Sequence, residues 1–165
     1  SDQGTKIRDM LDVVDLSKAN PNLRGYSGVF NSGKYIILVP YRNAYEPQSG
    51  QRGHSFVTRL DLNDFDVSGI DYLEVAATQR AQIPSVADSD LRGFCCGFAS
   101  GKYAVMVPFY NAAFSGKLAR MQVVAADMSS DLQELDLTVD DANPNLYKGY
   151  RGGFVSLWPA FTEKD

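Results

Sequence analysis

The sequence predicts an all-β fold made of tandem four-stranded antiparallel repeats. Three observations carry this. Part of the chain repeats internally, short aromatic and β-branched runs are broken by Gly-containing turns, and no stretch carries a long amphipathic helical pattern.

The repeat pairs Leu23-Arg24-Gly25-Tyr26-Ser27-Gly28-Val29-Phe30-Asn31-Ser32-Gly33-Lys34-Tyr35 with Leu91-Arg92-Gly93-Phe94-Cys95-Cys96-Gly97-Phe98-Ala99-Ser100-Gly101-Lys102-Tyr103, at an offset of 68. It continues through Val39-Pro40-Tyr41-Arg42-Asn43-Ala44 and Val107-Pro108-Phe109-Tyr110-Asn111-Ala112, and 12 of 22 aligned positions are identical. A third copy opens at Ala142-Asn143-Pro144-Asn145-Leu146, matching Ala19–Leu23. It runs through Gly149–Phe154 and shortens to Leu157-Trp158-Pro159 without the Ser-Gly-Lys turn. Arg59 and Arg120 align at an offset of only 61, so the first copy carries extra residues around Glu46–Arg52, as a surface loop would.

Each element follows from local chemistry. Tyr26–Phe30 and Tyr35–Tyr41 read as strands joined by the Asn31–Lys34 turn. Phe56–Leu62 alternates apolar and polar residues as a half-buried strand does, and Lys117–Val124 is its counterpart. Fourth strands are expected at Ile70–Val75 and Leu132–Leu137, and Met10–Leu16 reads as another of that type. Thr78–Ala81 reads as a turn at most. The total is about eleven strands, by the strand patterning.

One domain over 1–165 is expected, with units at 19–75 and 87–137, a partial third at 142–165, and an extra strand from 5–16. A last-type strand at the start and first-type strands at the end suit a ring closed by strand pairing, so the repeats are expected to be propeller-like. A β-trefoil-type threefold barrel is the alternative. The pattern Gly-aromatic, Phe-x-x-Gly-Lys-Tyr, Val-Pro-Tyr-x-Asn and Arg-x-Asp-Leu-x-x-Phe rests on Gly25, Tyr26, Phe30, Gly33–Tyr35, Val39–Tyr41, Asn43 and Arg59–Phe65. It resembles tandem-repeat proteins known mostly as uncharacterised algal and other protist sequences, which implies a kelch-like or propeller-like fold and no particular activity. The second unit departs from the pattern with Gln122-Val123 in place of Asp61-Leu62.

With 16 Lys+Arg against 20 Asp+Glu, the net charge of −4 argues against a nucleic-acid binder, which needs a basic stripe. The longest apolar runs are strand-length, so no membrane insertion is expected, and attachment to a membrane would be peripheral, through a complex. Ser1 in place of Met leaves room for a removed targeting segment, and the compartment stays open. Neighbouring strand residues point to opposite faces, so Cys95 and Cys96 are expected as two reduced thiols, with a vicinal disulfide as the alternative.

Catalysis, cofactors and metals find little support. His54, the one histidine, reads as an exposed loop residue beside Gly53 and Ser55, with no oxyanion-hole motif near it. The carboxylates at Asp61, Asp64, Asp66, Asp88, Asp90, Asp140 and Asp141 read as turn formers. Phe65 and Asp66 break an EF-hand reading of Asp61–Asp66, and a looser calcium site at Asp140, Asp141 and Asn143 is a minor alternative. Gly149–Gly153 lacks the setting of a phosphate cradle.

The repeated Val-Pro-aromatic-x-Asn carries the functional expectation. Pro40 and Pro108 end a strand, placing Tyr41, Arg42, Asn43, Phe109, Tyr110 and Asn111 where the chain leaves the sheet, with Trp158 in the third copy. Such residues suit a repeat-defining turn, a protein interface or a sugar subsite. The expected function is a non-catalytic interaction module, an accessory or scaffold subunit that contacts a protein partner or itself. A lectin-like glycan binder is the alternative. The algal resemblance extends this to an extrinsic subunit of an organellar membrane complex, such as a photosynthetic one.

Overall fold

The computed structural model describes residues 11–43, 53–82, 91–139 and 146–155. Two four-stranded antiparallel sheets dominate. The first contains β1 (Tyr26–Ser32), β2 (Tyr35–Pro40), β3 (Phe56–Asp61) and β4 (Ile70–Glu74), paired in that order. The helix α1 (Val75–Gln82) follows. The second contains β5 (Phe94–Ser100), β6 (Tyr103–Pro108), β9 (Lys117–Gln122) and β10 (Gln133–Asp136), in the order β5-β6-β9-β10. A separate small ribbon of β7 (Tyr110–Asn111) and β8 (Ala113–Phe114) comes between β6 and β9 in the chain.

The repeat is a repeat of register. Arg59 lies opposite Ile37 on β2, and Arg120 lies opposite Val105 on β6. The first strands share a bulge: Ser27 is the extra residue between the Tyr26–Pro40 and Gly28–Val39 pairs, and Cys95 is its counterpart. The Leu-Arg-Gly and Pro-aromatic-x-Asn motifs clasp each other. Gly25 and Gly93 take left-handed φ values of 80° and 65°, and a side chain there would run into the Arg42 or Tyr110 carbonyl. The Gly25 carbonyl accepts from Tyr41 and Arg42 N–H at 3.1 and 2.9 Å, and Gly93 accepts from Tyr110 at 3.0 Å.

The sheets stack face to face around one core. From the first come Ile37, Val39 and Val57; from the second, Ala104, Met106, Ala119 and Met121; all seven are fully buried. Each side chain of that size, fully buried, contributes roughly 1.5–3 kcal/mol, less for alanine. The junction is tightest between first strands, where Phe30 packs on Gly97 and Ser27 Oγ donates to the Phe94 and Cys95 carbonyls at 2.9 and 2.8 Å. Further out, buried Arg59 crosses the junction, donating to Val123 O at 2.7 Å, Ala125 O at 2.5 Å and Ala126 O at 3.2 Å. Its Nη2, which reaches Ala126 O, also pairs with Asp71 at 2.8 Å.

Several expectations need correction. The two sheets are open, so among the described residues there is no threefold barrel. β3 is not half-buried, because it lies between β2 and β4 with another sheet against it. Its polar residues are satisfied inside: Thr58 bonds the Tyr26 hydroxyl at 2.6 Å, and Arg59 holds the carbonyls above. The described part of Met10–Leu16 joins no ladder, and Asp15 instead caps a 3-10 turn at Leu16–Lys18. Where a turn was expected at Thr78–Ala81, α1 forms. It is too short to hold alone and is anchored by buried Val75, Ala76 and Gln79. Gln79 bonds Glu134, and Gln82 Nε2 donates to Ser129 O at 3.1 Å, tying the helix to the second sheet.

The cysteines also differ from expectation. Cys95 and Cys96 are paired as a vicinal disulfide. The alternation argument for separate thiols fails at this position because Cys95 is the bulged residue, and a bulge interrupts the alternation of side chains.

Candidate functional site

The ends of β2 and β6 bring four of the sequence-predicted residues together. The Tyr41 and Phe109 rings lie 5.9 Å apart between centroids, and Phe109 and Tyr110 lie 6.4 Å apart. The exposed Arg42 guanidinium sits 5.3 Å from the Tyr41 ring centre and 5.1 Å from that of Tyr110. Equivalent positions of two units thus build one continuous aromatic and cationic surface.

The two asparagines work on the backbone. Asn43 Nδ2 donates to Asn22 O at 3.0 Å, and Asn111 Oδ1 accepts from Gly53 N–H at 3.1 Å, joining the second unit to the first. Trp158 lies outside the described residues, as do Asp88, Asp90, Asp140, Asp141, Asn143 and the Glu46–Arg52 loop.

Two members of the cluster went unnoticed in the sequence. Exposed Phe114 lies 5.8 Å from Phe109 and 5.6 Å from Tyr110. Arg151 stands 4.8 Å over the Phe109 ring. Ser27 and Cys95 occupy the positions equivalent to Arg151, so repeat matching gave no signal for it. Beside Phe114 lies a cleft of about 210 Å³ lined by Asn111, Ser115, Lys117, Asp136, Thr138 and Lys148.

Under this surface lies His54, which is buried, at 1% exposure, and is not the exposed loop residue expected. Its backbone N–H donates to Tyr41 O at 2.9 Å, and its carbonyl accepts from Gly93 N–H at 3.3 Å. Its Nε2 is 3.0 Å from Gly25 O, which makes Nε2 the protonated nitrogen, and among the described residues Nδ1 has no hydrogen-bond partner. Burial pushes the His54 pKa down to about 4, with the Gly25 hydrogen bond opposing and the Arg92 charge reinforcing the shift. Tyr26 packs edge-on against the imidazole at 5.3 Å, and burial pushes its phenol up to about 12 against the Thr58 hydrogen bond.

The acidic turns work locally. Asp61 accepts from Asn63 N–H at 2.9 Å and pairs with Lys34, and Asp66 caps the turn at Val67–Gly69. Among the described residues, no three His, Cys, Asp or Glu side chains cluster as a metal site would need. None of the described helices is long and apolar enough to cross a membrane. No protein-family model, curated protein or solved structure matches the chain.

Proposed function

We propose that this chain is a non-catalytic β-repeat interaction module, an accessory or scaffold subunit of a larger assembly, with its sheets arranged as successive propeller-like blades. The observation supporting it is Arg42 held between Tyr41 and Tyr110, beside Phe109 and Phe114, at one end of both sheets. Tyr and Arg are the residue types that dominate protein hot spots, and their mutual stacking holds them in place before a partner arrives. The algal resemblance extends this to a subunit extrinsic to an organellar membrane complex. Affinity purification of the tagged chain from its native source should return a fixed partner that Tyr41→Ala with Phe109→Ala releases. Retention of every partner by that variant would refute the assignment.

The cleft beside Phe114 favours a second reading, glycan binding, because an exposed ring borders Lys117, Asp136 and Lys148. A glycan panel decides between them. Binding that is lost in Phe114→Ala supports the glycan reading, and silence across the panel rejects it.

A further inference from the structure

We propose that the outer face of the second sheet, formed by Leu118, Arg120 and Leu135, seats a further β-sheet of the same repeat type. The proposal deepens the interaction-module reading, through a surface separate from the aromatic end.

The register identifies this face. Val105, Leu118, Arg120 and Leu135 stand where Ile37, Val57, Arg59 and Leu73 stand in the first sheet. In the first sheet Ile37 and Val57 are fully buried and Arg59 is 6% exposed, all beneath the second sheet. In the second sheet Leu135 is 61% exposed, and the four residues border an apolar groove of about 300 Å³.

That groove continues an interface already begun. Phe98 meets Gly153 as Phe30 meets Gly97: a Cβ on Gly153 would lie 2.9 Å from the Phe98 ring, and one on Gly97 would lie 2.6 Å from that of Phe30. Ser27 Oγ donates to Phe94 O at 2.9 Å, and its counterpart Cys95 Sγ lies 3.1 Å from Tyr150 O. Residues 150–153 therefore lie on the second sheet as the start of β5 lies on the first.

The first junction also specifies the occupant's chemistry. Arg59 is held by the carbonyls of Val123, Ala125 and Ala126, just past a strand whose buried residues, Ala119 and Met121, are small or apolar. Arg120 calls for the same. The first sheet of a second copy does not supply it, because Val29 stands where Gly97 and Gly153 stand, and Gly153 already fills that place.

A fluorescein-labelled synthetic peptide of residues 117–131, which contains β9 and its turn, is the probe. Anisotropy titration with the full chain should show saturable binding, weakened about tenfold or more by Arg120→Ala and by Leu135→Asp. A scrambled peptide should not bind, and Tyr41→Ala with Phe109→Ala should leave the titration unchanged, so the two surfaces are tested separately. Near-UV circular dichroism checks that both groove variants remain folded. No saturable binding, or binding indifferent to both groove variants, overturns the proposal. Self-association in sedimentation that Leu135→Asp abolishes would assign the groove to a second copy and overturn it equally.

Discussion

Arg59 on β3 donates to the Val123 carbonyl at 2.7 Å across the junction between the sheets, whereas Arg120, its counterpart on β9, bonds Gln133 within its own sheet at 2.5 Å. Both guanidiniums stack on the tyrosine of their unit, Arg59 on Tyr35 at 4.8 Å and Arg120 on Tyr103 at 4.4 Å. What differs, among the described residues, is the sheet that covers one and not the other.

Truncation should therefore separate the two arginines. Arg59→Ala strands the buried Val123 carbonyl, unpairs the partly exposed Ala125 and Ala126 carbonyls and the Asp71 carboxylate, and should cost about 2–3 kcal/mol. Arg120→Ala, at a half-exposed position, should cost less than about 1 kcal/mol. Urea denaturation of both variants, with unchanged slope, is the check. Equal losses would show that Arg59 does not hold the junction.

His54 makes stability depend on pH. Its folded pKa of about 4 lies below the ordinary 6.5, so the unfolded chain takes up the proton first as pH falls. The contribution is complete above about pH 6.5 and is lost progressively toward pH 4, reaching about 3 kcal/mol at 1.36 kcal/mol per pH unit. His54→Gln, which can keep the bond to Gly25 without titrating, should flatten the profile in that window. The Asp15, Asp61 and Asp127 carboxyls are held below 3.8 mainly by hydrogen bonds to Ser17, Lys34 and Ser129 respectively, so their contributions are lost only at lower pH. An unchanged slope between pH 6.5 and 4.5 in the variant would exclude His54 as its source.

Ala112 has a φ of 62° at the tip of the β7–β8 ribbon, a region that costs a residue with a Cβ about 1–2 kcal/mol. Ala112→Gly relieves that cost while adding some unfolded-state entropy, so a net gain of about 0.5–1 kcal/mol is expected. A lower midpoint in thermal denaturation would contradict it.

Gly97 lies beneath Phe30 with no room to spare. A Cβ there would stand 2.6 Å from Phe30 Cε1 and 2.8 Å from Val105 O, and the backbone atom cannot yield. Gly97→Ala should cost about 1–3 kcal/mol. In a double-mutant cycle, Phe30→Leu should recover part of that loss, and strict additivity would mean the ring is not what the methyl strikes.

How much could be read beforehand differs by residue. Gly25 and Pro40 recur in the second unit because each serves the same clasp, so their roles were legible as repetition, whereas Asn43 and Asn111 recur with different partners. Tyr41, Arg42, Phe109 and Tyr110 were legible for the same reason. Phe114 and Arg151 break the repeat, and only folding brings them to the cluster. His54 in a Gly-rich stretch looked exposed, because nothing local signals the Gly25 carbonyl 29 residues earlier in the chain.

By itself the sequence determined the eight strands of the two sheets, their hairpin turns, the match between the two full units and the residues gathered at the ends of β2 and β6. Those follow from side-chain period, turn chemistry and repetition, all of which act over a few residues or recur along the chain. The strands expected at Met10–Leu16 and in the third copy are absent among the described residues. Only the tertiary structure decided that β3 is buried on both faces, that Val75–Gln82 is helical, and that Cys95 and Cys96 meet at a bulge. It also decided which of two equivalent arginines is covered. Burial and satisfaction of polar groups depend on what packs from elsewhere in the chain, and the short −4 arithmetic of composition carries no trace of that.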